Sequence, residues 1–449
     1  MSKKFSKEPL RGMKDFYPSD MRKVKWIEGI VNDIAEVYNY EEFEAPLMEP
    51  IEIFAAKSSE ELVNEQSFVV EKKKGGKLIL RPELTPSLAR MVARKKQEIK
   101  KPIRWYSIPT CYRYERPQRG RMRSFRQVNF DILDESSLYA ELEMFQIIID
   151  ILTSFGATSK QFQIYYNNRR FVDAVCEIML EVPEEDMPKI YKIIDKSEKM
   201  DEQEFIKFLK DSFEEDKIIK GITNLKKADS LDCVINTFEE IPEAFYASEG
   251  YKQIKLLETL IAENEINNYC SFNFSVVRGL DYYTGTVFEV FDTGGENNRA
   301  ISGGGRYDDL LSLFSSEKLS GVGFGMGVLM LSLFLETYDL IPDYIGEKDY
   351  TDTIYIASIN NKVSSYALKI SKLLREEDLP CIVDYRFSNL KNQISRANDI
   401  GVLILLILGS KEMELNKVTI KNMETEEQKV VNLEDLIEEI FEIIDDFAD

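Results

Sequence analysis

Histidine is missing altogether from the 449 residues of this chain. That absence removes zinc sites of the His/Cys kind, and with them every mechanism in which an imidazole moves a proton or activates a nucleophile. An enzyme of this composition has to work by positioning and electrostatics, or through carboxylates, lysines and tyrosines. Cysteine is scarce and scattered: Cys111, Cys176, Cys233, Cys270 and Cys381 form no CxxC pair. Their distribution fits reduced thiols better than disulfides or a structural metal, so no metal site is expected. Long apolar runs are also missing. The longest, Val402 to Leu408, falls far short of the roughly 20 residues that span a bilayer, and it reads as a buried strand. The opening MSKKFSKEPLRG lacks the apolar core of a secretory signal. A cytoplasmic protein with no membrane partner is the expectation.

The residues present are those of an ordinary globular protein, 44% apolar and 31% charged. Their number implies two or three domains. Net charge is −21, which alone argues against a nucleic-acid partner. The distribution argues otherwise. Residues 1–171 carry 30 Lys+Arg against 24 Asp+Glu, whereas residues 172–449 carry 28 against 55. An anionic ligand is drawn to the basic N-terminal third.

Periodicity then divides the chain. Residues 21–38 read as an amphipathic helix through Ile27, Ile30, Val31, Ile34 and Val37. Strands are expected at Phe43 to Pro50, 78–81, 103–114 and 125–133, and a helix through Leu142, Phe145, Ile149 and Leu152 stops at Gly156. Residues 172–262, with 12 Lys+Arg, 22 Asp+Glu and helical spacing, read as a helical insertion. Strand-like sequence returns at 272–305, and Val322 to Leu335 reads as a buried helix. The expected organisation is a domain over 1–340, a linker at 341–352 and a small α/β domain over 353–449, where strands alternate with helices.

Four clusters have the composition of a site. The first runs from Arg113 to Gln127 and holds six arginines against Glu115 within residues 113–126. The planar arginine fork suits phosphate, and Phe125 offers a ring on which a base can stack. Pro117 and Gly120, set between two strand-like runs, favour a phosphate-binding loop over a merely solvated basic stretch. The second, Arg278-Gly-Leu-Asp281-Tyr282-Tyr283-Thr284-Gly, has the groups of a polar pocket. The third, Gly303-Gly304-Gly305-Arg306-Tyr307-Asp308, permits close backbone approach but has neither Walker nor dinucleotide spacing. The fourth is Arg81-Pro82-Glu83-Leu84-Thr85-Pro86. Its carboxylate and hydroxyl suit an amino group, although capping a helix is the commoner role.

In this order along the chain the pieces resemble histidyl-tRNA synthetases. RGMKDFYP is similar to the family's opening, the helix followed by Phe43-Glu-Ala-Pro46 to class II motif 1, and Tyr112 to Asp131 to motif 2. RGLDYYTG resembles the family's histidine motif, and 353–449 its anticodon-binding domain. The resemblance implies a class II α+β catalytic domain on an antiparallel sheet, a dimer, and ATP with Mg2+, histidine and tRNA(His) as ligands. It further implies that Glu83, Leu84 and Thr85 hold the amino group of histidine, with Gln127, Asp131, Tyr282 and Tyr283 around the amino acid. Asp131 stands where many relatives have a longer glutamate. By the same resemblance Arg113 and Arg278 act on the α-phosphate, and Glu115, Arg121, Phe125 and Arg306 with Arg113 surround ATP.

The chain departs from the pattern at Met330, where motif 3 of class II enzymes normally has an arginine packing on adenine, a substitution shared with archaeal-type members. A synthetase without histidine would also not need its own product for its own synthesis. Two rivals remain: a catalytically silent paralogue that senses histidine or regulates its biosynthesis, and a class II synthetase for another amino acid.

Overall fold

The computed structural model describes residues 5–55, 60–73, 75–197, 200–277, 282–309, 312, 314, 319–386 and 388–448. The chain divides into two compact units, Met1–Pro342 and Asp343–Asp449.

A nine-stranded sheet organises the first unit. Its spatial order is Glu41–Glu42, Ile103–Ser107, Ser124–Leu133, Gly321–Gly327, Ser302–Arg306, Thr286–Asp292, Phe162–Asn168 and Cys270–Phe272. Thr110–Tyr112 pairs alongside the start of Ser124–Leu133. Pairing is antiparallel except at the two edges, where Glu41–Glu42 and Cys270–Phe272 run parallel to their neighbours. The expected antiparallel sheet is therefore present.

Period-two alternation decides which face of the sheet is core. Val128, Phe130 and Ile132 join Val322, Phe324, Met326 and Phe288 in one buried cluster with Ile27 and Val31 of helix Pro18–Val37 and Phe145 and Ile148 of helix Tyr139–Ser154. Phe130 stacks on Phe324 with ring centroids 5.4 Å apart, and Phe145 meets Phe288 edge-on at 5.0 Å. Each such ring contributes roughly 1.5–3 kcal/mol by leaving water.

Three expectations change. The apolar segment from Val322 is not one helix: Gly321–Gly327 is a central strand and the helix is Val328–Thr337. Glycines at 321, 323, 325 and 327 carry no side chain on one face while Val322, Phe324 and Met326 fill the core on the other. Of the segment 43–50 only Met48–Pro50 is strand, and a separate short strand, Glu41–Glu42, precedes it. Likewise 103–114 becomes Ile103–Ser107 and Thr110–Tyr112, broken beside Pro109, which has no N–H to donate.

Between Arg169 and Glu263 the described residues form helical turns and no strand. Side chains of Asp201, Ser230 and Ser248 accept from the backbone N–H groups of Glu204, Cys233 and Tyr251, starting three of these helices. Their apolar residues, among them Ile190, Phe205, Leu209 and Ile222, belong to the same core.

The second unit is a five-stranded sheet in the order Cys381–Val383, Ile354–Ser358, Ile404–Leu408, Lys417–Asn422, Gln428–Asn432. Its first three strands are parallel and the last two antiparallel. Helices Ser364–Glu376, Leu390–Ile400 and Leu436–Ala448 accompany it. All five residues of Ile404–Leu408 are buried, as a central parallel strand requires. Among the described residues no helix is long and apolar enough to cross a membrane.

Candidate active site

The site is built on the face of strand Ser124–Leu133 that turns away from the core. Alternation puts Phe125, Gln127, Asn129 and Asp131 on that face. Their room comes from the neighbouring strand, whose Gly327, Gly325 and Gly323 lie opposite Gln127, Asn129 and Asp131. A Cβ on Gly323 would fall 2.2 Å from Asp131 Oδ1, and one on Gly325 would fall 2.4 Å from Gln127 Nε2. The glycines that conceal a strand in the sequence are thus what admits polar side chains to the sheet.

At the inner end lies a buried cluster of carboxylates and phenols. The Tyr307 hydroxyl donates to Asp131 Oδ1. The Tyr282 hydroxyl donates to Glu83 Oε2 at 3.0 Å, and the Thr85 hydroxyl also hydrogen-bonds Tyr282. The Tyr282 ring lies 4.8 Å from that of Tyr283 and 6.0 Å from that of Tyr307. Burial pushes the Asp131 carboxyl up to about 7, against the opposing pull of the Tyr307 hydrogen bond. Burial raises both Tyr282 and Tyr307, and the adjacent Glu83 and Asp131 raise them further. Both phenols therefore keep their protons at neutral pH and remain donors. Thr85 is the first residue of helix Thr85–Lys95 and the N-cap position before it is Leu84, so Thr85 is not the capping residue of this helix.

The outer end is a cavity of about 820 Å³, a size that suits a nucleotide. Arg113, Glu115, Arg121, Phe125, Gln127 and Met330 contribute to its lining. Arg113 donates through Nε to the Pro82 carbonyl at 2.9 Å, and its guanidinium lies 5.3 Å from the centre of the Phe125 ring. One residue thereby joins the Glu83 segment to the outer cavity. Arg121 pairs with Glu115 at 2.8 Å. The loop turns at Gly120, whose φ of +76° favours glycine. It is tied to the N-terminal segment: the Arg123 backbone N–H donates to the Gly12 carbonyl at 2.6 Å and its Nη1 to the Arg11 carbonyl at 3.1 Å. Five guanidinium groups, those of Arg113, Arg119, Arg121, Arg126 and Arg299, line the cavity beside the carboxylates of Glu115, Asp195, Glu289 and Glu296, and arginines gathered in this way are suited to a polyanion.

Placement differs from expectation for two residues. Leu84 has its side chain packed among Leu88, Ala89 and Val92, so only its backbone is left to face a ligand. Arg306 does not line the outer cavity. It is buried, and its five N–H donors all meet protein acceptors: both oxygens of Glu141, the Glu135 and Ser137 carbonyls, and the Ser320 hydroxyl. The role with ATP expected of Arg306 is thus replaced by a structural one, bracing the strand that carries the glycine triplet. Arg278 lies outside the described residues.

Three residues join the site without having been singled out. Asn129 follows from the alternation that already includes Gln127 and Asp131, and its side chain accepts from Gln127 Nε2 at 2.7 Å. Tyr307 sits within the glycine–arginine–tyrosine cluster, two residues beyond Gly305, whose missing Cβ makes room for Tyr283. Arg299, also lining the cavity, comes from a polar turn that carries no such signal.

Residues 12–331 match the model of the family described as histidyl-tRNA synthetase. The chain belongs to the histidyl-tRNA synthetase family. The synthetase is accordingly an aminoacyl-tRNA synthetase of class II, and residues 353–443 match an anticodon-binding domain. It is 34% identical to the histidine–tRNA ligase of Leptospira biflexa over 98% of each chain. With that of Haloarcula marismortui the identity is 32%, over 95% of this chain and 96% of the relative. The crystal structure of histidyl-tRNA synthetase from Nostoc sp. PCC 7120 shares the synthetase's fold, with a TM-score of 0.74 over 98% of this chain and 100% of that one at 24% identity.

Proposed function

We propose that this chain is a histidine–tRNA ligase that converts histidine and ATP to histidyl-adenylate and passes the histidyl group to the 3′ end of tRNA(His). The observation that carries the reading is one strand face joining two chemically distinct halves, the carboxylate–phenol cluster at Asp131 and the arginine-lined cavity at Phe125. Glu83 and Thr85 take the α-amino group. Gln127, Asp131, Tyr282 and Tyr283 surround the rest of histidine. Arg113 bridges to the α-phosphate, with Glu115, Arg121 and Phe125 around the remainder of ATP, and Arg278 supports the same phosphate as charge develops. Catalysis on this reading is orientation and charge stabilisation, which needs no imidazole.

Magnesium enters with the nucleotide as part of the substrate. The carboxylates of Glu115 and Glu289 line the cavity and are the oxygen donors such an ion accepts. The working unit is a homodimer in the cytoplasm. The regulatory alternative is less well supported, since the family match spans 12–331 and an anticodon-binding match follows at 353–443.

Pyrophosphate exchange measured with each standard amino acid in turn tests the reading. Exchange driven by histidine alone is expected. Histidine binding without exchange would favour the silent paralogue, and exchange with another amino acid would reassign the substrate.

A further inference from the structure

Arg299 differs from the other guanidinium groups of the cavity wall. Arg113 is held by the Pro82 carbonyl, Arg121 by Glu115 and Arg126 by Glu28. Arg119 is exposed to solvent. Arg299 is part-buried, yet among the described residues no hydrogen bond or ion pair holds it. Its charged neighbours are Arg121 and Glu115, and Glu115 is already paired with Arg121. Burial, and then the positive charge of Arg121, disfavour its ionised form. A cation kept beside a cation in a part-desolvated cavity is relieved by an anion.

The fold holds the loop that carries this side chain. Two residues before Arg299, the buried Asn297 donates to Asp292 Oδ2 at 2.8 Å and to the Thr337 hydroxyl at 3.1 Å. Two residues after it, the Ile301 N–H donates to the Val290 carbonyl at 2.7 Å. Across the cavity the arginine-rich loop turns at Gly120, where a Cβ would lie 2.3 Å from Met330 Sδ and 3.4 Å from Arg299 Cδ. Gly120 therefore lets three elements converge: the arginine-rich loop, the loop before Ser302–Arg306, and helix Val328–Thr337. At this convergence the helix contributes a thioether, which carries no charge, and the loop contributes a guanidinium.

We propose that Arg299 is a triphosphate-binding residue, supplying from the loop before strand Ser302–Arg306 the cation that position 330 of the helix lacks and gripping the outer phosphates of ATP together with Arg121. The assignment rests on the ligase reading above. It differs from that reading in attributing the grip on the β- and γ-phosphates to a residue outside the arginine-rich loop.

The test compares ligands that do and do not carry those phosphates. Affinities of the full chain for ATP and for a non-hydrolysable histidyl-adenylate analogue are measured by calorimetry, for the parent, Arg299→Gln and Arg299→Lys. Loss of a charge-assisted bond is expected to weaken ATP by about tenfold to a hundredfold in Arg299→Gln. The adenylate analogue, which ends at its α-phosphate equivalent, should bind within about twofold of the parent; this result also shows that the variant is folded. Arg299→Lys should recover part of the loss for ATP. In histidine-dependent exchange the change should appear in KM for ATP more than in kcat. Unchanged ATP affinity in Arg299→Gln, or equal losses for ATP and the analogue, would overturn the assignment while leaving the ligase reading intact. A parent chain that binds neither ATP nor the analogue would overturn both.

Discussion

Between about pH 4 and pH 7 the folded chain keeps a proton on Asp131 that the unfolded chain has already released. The ordinary value of this carboxyl is 3.8, and burial raises it to about 7 in the fold. Protons bound by the folded state but not by the unfolded one make stability fall as pH rises through that window, with no further loss from this group above about 7. Asp131→Asn removes the titration. The difference in urea midpoint between pH 5 and pH 8 should therefore be smaller in the variant than in the parent, and equal differences would show that Asp131 ionises normally. Met330 poses a second question at this scale. It is only 8% exposed, as a core residue would be. Yet it lines the cavity and packs on Gly120, and it is absent from the apolar cluster that holds its helix neighbours Val328, Leu331 and Phe334. A core methionine truncated to alanine costs about 2–5 kcal/mol. Met330→Ala should lose less than about 2 kcal/mol and bind ATP more weakly. A larger stability loss with unchanged ATP affinity would return the residue to the core.

Strand Gly321–Gly327 is the element on which the site depends most. Its glycines face the strand that carries Gln127 and Asp131, so Gly323→Ala would drive a methyl group to 2.2 Å from Asp131 Oδ1 and 2.5 Å from the Phe130 carbonyl. Overpacking of this kind typically costs about 1–3 kcal/mol. Histidine affinity should fall with it, because the carboxylate has to move. Gly29→Ala, where a Cβ meets nothing within 4 Å, is the control. A Gly323→Ala chain that binds histidine as the parent does would break the link between the glycine pattern and the pocket. The same strand shows where the sequence misleads. Its apolar residues, run together with those of the following helix, read as one buried helix, because the period-two signal is carried by glycines, which score neither as apolar nor as polar. By contrast, 125–133 is legible as a strand, and Gln127 and Asp131 as site residues, since alternation and side-chain chemistry coincide there. Arg306 misleads in the opposite direction. Beside three glycines it looks like a ligand-binding arginine, and only its packing against Glu141, 165 residues earlier in the chain, reveals a structural cation. A contact at that separation leaves no local trace.

Charge is distributed at the scale of the whole molecule, and so is the demand that tRNA makes on it. Residues 1–171 hold an excess of six cations, whereas 353–449 carry 11 Lys+Arg against 18 Asp+Glu. The C-terminal unit is therefore poorly matched to a phosphate backbone and better suited to reading bases, and the electrostatic share of tRNA binding is expected to fall on the N-terminal part. Within the arginine-rich loop, Arg119 and Arg123 are two candidates for its phosphate contacts. In the fold, Arg123 is occupied with the Arg11 and Glu115 carbonyls and with the Tyr114 ring 3.9 Å away. Neutralising it would disturb the loop itself. Arg116 and Arg119 are exposed, and no ion pair among the described residues engages either, so they are the cleaner pair. Each phosphate contact contributes about −0.7 to −0.9 to the slope of log affinity against log salt. Arg116→Gln combined with Arg119→Gln should flatten the slope for tRNA by up to twice that amount while leaving the melting temperature of the chain unchanged. Affinity at high salt should converge with that of the parent, because the lost contribution is counterion release rather than base recognition. Curves that coincide with the parent's at every salt concentration would place the phosphate contacts on other residues. Curves that stay parallel but displaced at every salt concentration would mean that these arginines read bases instead.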